Sequence, residues 1–106
     1  MTNEFESNYF KLVYVLKLED DCYYVGYSSN LNIRLCDHFN GKGSKWTMLH
    51  KPISIYSVCM GGTTTENRIT LDMINKFGYN KVRGGNWCKL KVTKIPINYF
   101  LRCIKL

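Results

Sequence analysis

The sequence predicts an α+β fold in which a small central antiparallel three-stranded sheet is flanked by helices. Three observations predict it: two β-rich segments around a short acidic turn, a third β-rich segment further on, and a helical pattern after the second and third segments. The order is therefore ββαβα with a C-terminal segment. Strands joined by so short a turn are antiparallel, because a parallel pair needs a crossover connection. The 106 residues fit one domain, residues 1–106.

The first two strands form a predicted hairpin. Residues 11–18, KLVYVLKL, alternate in polarity and are rich in β-branched and aromatic side chains. Residues 19–21, EDD, provide the turn, and residues 22–28, CYYVGYS, provide the antiparallel partner.

A helix is predicted after this hairpin. Ser28, Ser29 or Asn30 can cap its start, and Gly41 can end it. Its apolar side chains recur at every fourth position and face the core: Leu31, Leu35 and Phe39. A second row with the same spacing lies beside them: Asn30, Arg34 and His38.

The remainder of the chain predicts a loop, a strand, a helix and an uncertain end. Residues 40–52 form a basic loop, and residues 53–60 form the third strand. The second helix is capped by Thr63 or Thr64, ends at Gly78, and has four apolar side chains on one side: Ile69, Met73, Ile74 and Phe77. Residues 82–88 look like a loop, residues 89–92 like a short strand, and Pro96 can open a last helix through Ile104.

Composition restricts the class of partner. Fifteen Lys and Arg against eight Asp and Glu give a net charge of +7, which favours polyanions such as nucleic acid. No segment has the length of a membrane helix or the pattern of a signal peptide, so we expect an intracellular, soluble protein without a membrane partner. Five cysteines without a close C-x-x-C pair argue against a disulfide scaffold or a zinc site, so we expect reduced thiols, mostly buried.

An ordered set of residues carries a family resemblance. Tyr14 closes the segment Leu12-Val13-Tyr14, the second strand ends Tyr24-Val25-Gly26, and three charged or polar residues follow on helices: Arg34, His38 and Glu66. The ten residues from Tyr14 to Tyr24 and the eight from Gly26 to Arg34 are spaced as in the GIY-YIG nuclease family, which this set resembles from Phe10 to about Trp87. The first motif keeps only its tyrosine.

The resemblance implies a chemistry for each position. Phosphodiester hydrolysis needs an activated water and positive charge around the phosphate. Tyr14 would be the general base with Tyr24 beside it, Arg34 would hold the scissile phosphate, and Glu66 would bind one Mg²⁺ or Mn²⁺ ion. A free tyrosine has a pKa of about 10, so Tyr14 can act as a base near neutral pH only if nearby cations or the metal lower its pKa.

The remaining site assignments are less specific. His38 stands where members carry a histidine or another polar group, and Tyr27 stands where some carry a basic residue. Asn80 resembles the late asparagine that steadies the site, and Asn86 is a rival for the same role. We assign Gly26 and Tyr27 to contacts with nucleic acid.

Structural alternatives exist for each of these residues. Tyr14 and Tyr24 can be sheet aromatics, Arg34 a solvated helix charge, and His38 a helix-surface side chain. Thr63-x-x-Glu66 spells a capping box, in which Glu66 would only bond a backbone amide. Asn80 can be an ordinary loop residue.

The basic loop predicts a nucleic-acid surface. Lys42, Lys45 and Lys51 can contact phosphates, Trp46 can stack on a base, and Arg68 and Arg83 can extend the surface. The alternatives are a solvated loop and a Trp46 that covers the core. Residues 43–52 and 82–85 resemble segments of compact GIY-YIG proteins from large DNA viruses, for which the cytoplasm or nucleus of the host cell would be the location.

These observations together predict a metal-dependent DNA endonuclease of low sequence specificity, or one that recognises DNA structure such as branches or nicks. A protein partner or a homodimer can supply selectivity, and RNA as substrate stays open. The alternative is a catalytically inactive, basic nucleic-acid-binding module with the same fold, which the altered first motif favours.

Overall fold

The structure, a computed structural model, describes residues 11–88 and has the predicted α+β class. Its elements, in chain order, are β1 (Leu12–Leu18), β2 (Tyr23–Ser28), α1 (Leu31–Phe39), α2 (Lys45–Leu49), β3 (Pro52–Met60), α3 (Thr63–Phe77) and β4 (Val82–Gly84). The strand predicted at residues 89–92 and the helix predicted from Pro96 lie outside the described residues.

The sheet has four strands in the order β3-β1-β2-β4. The predicted hairpin is confirmed, with Tyr14 directly opposite Gly26 and a short 3₁₀ turn at Glu19–Asp21 between the strands. β3 pairs antiparallel with β1, whereas β4 pairs parallel with β2. The three predicted antiparallel strands are present, and the structure adds a fourth, parallel strand, β4, that was not predicted. Residues 82–84 look like a loop because three residues that end in glycine show no strand pattern.

The two faces of the sheet carry separate apolar cores, because successive strand residues point to opposite sides. One face packs against α3 through Val13, Val15 and Val25, together with Met73 and Ile74. The opposite face carries the other core: Tyr14, Leu16, Leu18, Cys22, Tyr24 and Trp46, with Leu31 and Leu35 of α1 packed against them. Tyr14 and Tyr24 therefore share one face, beneath α1 and α2.

Helix α1 begins and ends close to where the sequence predicts. The Asn30 side chain accepts a hydrogen bond of 3.3 Å from the Ile33 N–H, so Asn30 is the cap among the three candidates. Leu31 and Leu35 face the core as expected. Phe39, expected beside them, is 48% exposed because it lies in the last turn and borders an open cavity.

The predicted basic loop contains the short helix α2. Ser44 caps it, since its hydroxyl accepts the Thr47 N–H at 3.2 Å. Five residues are too few to show a helical period, which is why the sequence pattern did not indicate it.

Helix α3 confirms its predicted apolar side but not its predicted cap. Met73 and Ile74 are buried and Ile69 and Phe77 pack against the same core, yet the N-cap is Gly62, without a side-chain capping bond. The assignment of the cap to Thr63 or Thr64 was wrong, because the strand turns into the helix one residue earlier.

Two further findings concern composition. Cys22 is buried, but Cys36, Cys59 and Cys88 are exposed free thiols, so the expectation of mostly buried thiols fails within residues 11–88. Within the same residues, every helix is too short or too polar to cross a membrane.

Candidate active site

Tyr14 is the centre of a polar cluster on the face of the sheet beneath α1 and α2. It is 1% exposed, and its phenol lies across Gly26, its partner in the hairpin. A Cβ at position 26 would lie 2.5 Å from the Tyr14 hydroxyl oxygen. Gly26 therefore leaves the space that the phenol occupies, and this packing explains the glycine of the second motif.

Tyr24 lies on the same face, with its ring centroid 6.4 Å from that of Tyr14. Burial raises the pKa of Tyr24, and Arg34 opposes that change. The Ser44 hydroxyl at the start of α2 also lowers the pKa of Tyr24. Groups from the helices above the sheet therefore act on both tyrosines.

His38 is completely buried between the strands and α2. Its Nε2 lies 2.7 Å from the Tyr14 hydroxyl and its Nδ1 lies 3.1 Å from the Thr47 hydroxyl. Burial, reinforced by the charge of Arg34, lowers the pKa of His38 to about 4. The imidazole is therefore neutral at neutral pH and joins Tyr14 to α2.

Arg34 lies one turn before His38 on α1 and brings positive charge to the phenols. Burial opposes its charge, but the neighbouring phenols of Tyr14 and Tyr24 give Arg34 a net raised pKa. Its side chain is 38% exposed and lies 3.8 Å from the Asp37 carboxylate. One guanidinium can thus contact the tyrosines and still reach a bound anion.

The protonation state of Tyr14 follows from its burial. Burial, with a smaller contribution from Tyr24, raises the pKa of Tyr14 far above its usual value, and Arg34 only partly offsets this. The phenol therefore stays protonated at neutral pH. To act as a base, Tyr14 needs nearby cations or the metal to lower its pKa. This chain's own residues do not bring that pKa below its usual value.

Glu66 lies in the first turn of α3, and its charge contributes to the raised pKa of both Tyr14 and Tyr24. Burial raises the pKa of the Glu66 carboxyl, while the Gly85 backbone N–H lowers it. The capping-box alternative does not fit, because the N-cap is Gly62 and Glu66 is one position too far along the helix for that motif.

The loop after β4 interacts with α3 close to Glu66. The Asn86 N–H donates to the Asn67 side-chain oxygen at 2.9 Å, next to Glu66 on α3. Asn80 instead lies in the turn that follows the other end of α3, whose 15 residues span about 22 Å. Of the two candidate asparagines, Asn86 is the one whose backbone bonds to the residue next to Glu66 on α3.

The predicted nucleic-acid residues divide into exposed and buried groups. Lys42, Lys45, Lys51 and Arg68 are exposed, and Arg68 lies 3.6 Å from Asp72. Tyr27 packs against the core on the opposite face from Tyr14. Its predicted nucleic-acid contact therefore lies away from the cluster.

Trp46 and Arg83 are buried and do not offer the predicted contacts with nucleic acid. Trp46 is 5% exposed and donates from its indole nitrogen to the Tyr23 carbonyl at 2.9 Å. Arg83 is 4% exposed, stacks 4.4 Å from the centre of the Trp46 ring, and donates to the Tyr79 and Val82 carbonyls. The alternative in which Trp46 covers the core is the one observed.

Glu66 is the acidic residue that would bind a metal ion at this site. Within residues 11–88 no three or more His, Cys, Asp or Glu side chains form a group that could surround an ion. Glu66 alone fits Mg²⁺ or Mn²⁺, because such hard ions bind through one or two carboxylates and fill their remaining positions with water and substrate phosphate. The Glu66 carboxylate is partly buried and its charge acts on both phenols, which suits this role.

Sequence reasoning missed the residues that support the cluster. Thr47 contacts His38, Ser44 lowers the pKa of Tyr24, and the Gly85 N–H lowers the pKa of Glu66. A serine followed three residues later by threonine is a capping signal that could have located α2. No sequence signal shows which buried histidine that threonine would reach.

Comparison with known proteins identifies a family whose match covers the residues of this cluster. The family model of the GIY-YIG catalytic domain matches residues 10–80. The UPF0213 protein of Bacillus pumilus is 42% identical over 53 residues, covering 50% of this chain and 51% of the relative. That of Staphylococcus epidermidis is 40% identical over 43 residues, covering 41% and 52%.

The chain spans about half the length of these curated relatives. They are bacterial, so the likeness to proteins of large DNA viruses stays a prediction. No solved structure matches the chain. The family match covers more than half of the chain and includes Tyr14, Tyr24, Arg34, His38 and Glu66, so this protein belongs to the GIY-YIG family of nuclease domains.

Proposed function

We propose that this chain is a metal-dependent DNA endonuclease that cuts one strand at a time with low sequence specificity. The observation that supports the proposal is that two neighbouring phenols, Tyr14 and Tyr24, feel the charges of a guanidinium and a carboxylate that come from two other elements, Arg34 of α1 and Glu66 of α3. Water activation, phosphate binding and metal binding would then be adjacent. The family assignment supports nuclease chemistry in general, and DNA as substrate is part of the proposal.

Tyr14 would act as a proton relay rather than as a stable phenolate. The attacking water transfers a proton to the Tyr14 oxygen while Tyr14 transfers its own proton to His38 Nε2, 2.7 Å away. One water O–H bond breaks and one imidazole N–H bond forms, while Tyr14 stays neutral. This path replaces a buried phenolate with a transient buried imidazolium, which burial also disfavours. The low pKa of His38 makes that imidazolium short-lived, because it returns the proton readily to the departing oxygen or to solvent.

The other residues have distinct roles in this proposal. Arg34 would hold the scissile phosphate, because its guanidinium is both near the phenols and partly exposed. A divalent ion bound by Glu66 would stabilise charge on the phosphate and leaving oxygen. Lys42, Lys45 and Lys51, on the helix-covered side that carries Tyr14, would contact flanking phosphates.

The alternative is an inactive module that binds nucleic acid, and the raised pKa of Tyr14 is the observation that favours it. The test is a cleavage panel with Mg²⁺ or Mn²⁺ on plasmid, flap, four-way junction and RNA substrates. We expect metal-dependent nicking of DNA by the parent protein, lost in Glu66→Ala and Arg34→Ala while DNA binding by Glu66→Ala persists. Absence of cleavage by the parent, or unchanged cleavage by Glu66→Ala, would contradict the proposal.

A further inference from the structure

We propose that Thr47 is a positioning residue that fixes the proton of neutral His38 on Nδ1, so that Nε2 faces Tyr14 as a hydrogen-bond acceptor. This inference rests on the proposed function for its catalytic meaning. The tautomer itself can be measured without any activity. Two independent hydrogen-bond arguments, one at each ring nitrogen, lead to the same assignment.

The first argument concerns Thr47, which has one hydroxyl proton. That proton is directed to the Ser44 carbonyl, which the Thr47 oxygen approaches to 3.0 Å. Towards His38 Nδ1, at 3.1 Å, the same oxygen can then only accept. Nδ1 must therefore carry the proton, and a neutral imidazole with a proton on Nδ1 has its lone pair on Nε2.

The second argument concerns the Tyr14 oxygen. That hydroxyl is buried, and among the described residues its hydrogen-bond partner is His38 Nε2, 2.7 Å away. If Nε2 carried a proton, the ring would donate to the phenol oxygen and the Tyr14 hydrogen would be left buried without an acceptor. With a free lone pair on Nε2, Tyr14 donates to His38.

Gly43 makes the contact between Thr47 and His38 possible. A Cβ at position 43 would lie 2.8 Å from the Thr47 oxygen and closer still to His38 Nδ1. The backbone before α2 thus passes directly over the hydrogen bond, and a side chain there would separate its partners.

The experiment is ¹⁵N NMR of the two histidine side chains in the labelled protein near pH 7. A His50→Gln variant identifies the signals of His38, because these are the only two histidines in the sequence. We expect His38 Nδ1 to appear as the protonated nitrogen and Nε2 as the unprotonated one. The reverse pattern in the parent protein would overturn the proposal without the need for any variant.

Substitutions then test whether Thr47 is the cause. Thr47→Val keeps the shape but removes the hydroxyl and should convert His38 to a mixture or to the Nε2–H form, whereas Thr47→Ser should retain the Nδ1–H form. Thr70→Val is the matched control, since Thr70 is also fully buried and donates to a backbone carbonyl, at 2.7 Å, but has no contact with His38 among the bonds described. An unchanged tautomer in folded Thr47→Val would refute the role of Thr47.

Cleavage kinetics of the Thr47 variants test whether the tautomer of His38 matters for activity. We expect Thr47→Val to lower kcat by about tenfold to a hundredfold, with KM for DNA little changed and most activity restored in Thr47→Ser. If the parent cleaves nothing, the proposed function fails while the NMR result still decides the tautomer. Equal kcat in Thr47→Val and parent would show that the tautomer has no catalytic importance and would overturn that part of the inference.

Discussion

At the scale of single residues, the candidate site depends on contacts that leave no freedom for the phenol of Tyr14. Gly26 and His38 lie against the phenol, and the charge of Arg34 acts on it. Each neighbour has a different chemical role, so substitutions there have separable effects.

Gly26→Ala should displace the Tyr14 phenol. The added methyl group would lie 2.5 Å from the phenol oxygen, so the ring must move and its bond to His38 must lengthen. We expect a loss of about 1–3 kcal/mol in the free energy of unfolding, measured in urea, and loss of cleavage. Gly62→Ala is the control, because nothing lies within 4 Å of a Cβ there. Equal stability of the two variants would show that Tyr14 has room that the structure does not reveal.

His38 should make the protein less stable in mild acid. The unfolded chain protonates this residue below about pH 6.5, whereas the folded protein does so only near pH 4, so the unfolded state binds more protons between these values. The free energy of unfolding therefore falls as pH falls through this window, by up to about 3 kcal/mol. The groups that face the ring are Tyr14, Tyr24 and Thr47 from neighbouring elements and Arg34 and Asp37 from its own helix.

Urea titrations at about pH 7 and about pH 4.5 measure the effect. His38→Gln removes the titrating group and should flatten the difference, while His50→Gln, in which His38 is intact, should keep it. A parent and His38→Gln with the same pH dependence would mean that His38 does not resist protonation.

At the scale of elements, β4 and the turn after it position the carboxylate of α3. Gly85 has a φ of +48°, its N–H is within reach of Glu66, and a Cβ there would overlap the Asn67 side chain. A strand of three residues thus fixes one side of the proposed metal site.

Gly85→Ala should weaken metal binding beyond any effect that comes from its strained backbone. The methyl group would push Asn67 away and shift the N–H that faces Glu66. We expect the Mg²⁺ concentration for half-maximal cleavage to rise about tenfold. Gly78→Ala shares the cost of a positive φ, here +95°, but a Cβ there meets nothing within 4 Å. If both variants need the same Mg²⁺ concentration, Gly85 does not support the carboxylate.

Elements were predictable from sequence where they are long and periodic. The hairpin, α1, β3 and α3 follow from alternation or from a four-residue repeat. The short α2 and β4 do not, because five and three residues cannot show a period.

The site residues were predictable to a similar extent. Tyr14, Tyr24, Arg34 and Glu66 could be identified from the spacing of their motifs, whereas the contacts of Thr47 and Gly85 depend on tertiary packing. For Trp46 the sequence left both outcomes open, because a basic, aromatic loop looks the same whether its tryptophan faces inward or outward. The burial of Arg83 was not predicted, because it depends on stacking against Trp46, which is distant in sequence.

At the scale of the whole molecule, the net charge of +7 is distributed over both faces of the sheet. Lys42, Lys45 and Lys51 lie on the side of α1 and α2. Lys11, Lys17 and Lys76 lie near Tyr27, Tyr23 and Phe77 on the α3 side. The proposed function uses only the first set for phosphate contacts.

Replacing the first set with glutamine should weaken DNA binding more than replacing the second. Both triple variants lower the net charge equally, so any difference reports location rather than charge. We expect the slope of log Kd against log salt, measured between about 50 and 200 mM, to become shallower by up to about three in the first variant. Equal slopes for both triple variants would show that DNA does not prefer the α1 and α2 side.

Three glycines have a shared consequence for how this protein tolerates sequence change. Gly26, Gly43 and Gly85 each leave a volume that a neighbouring functional group fills: a phenol, an imidazole with its threonine, and an asparagine. They lie in separate segments, so a compensating change at one cannot restore space at another. In a comprehensive mutational library selected for cleavage, these positions should accept almost no other residue, although none of them contributes an atom to the chemistry.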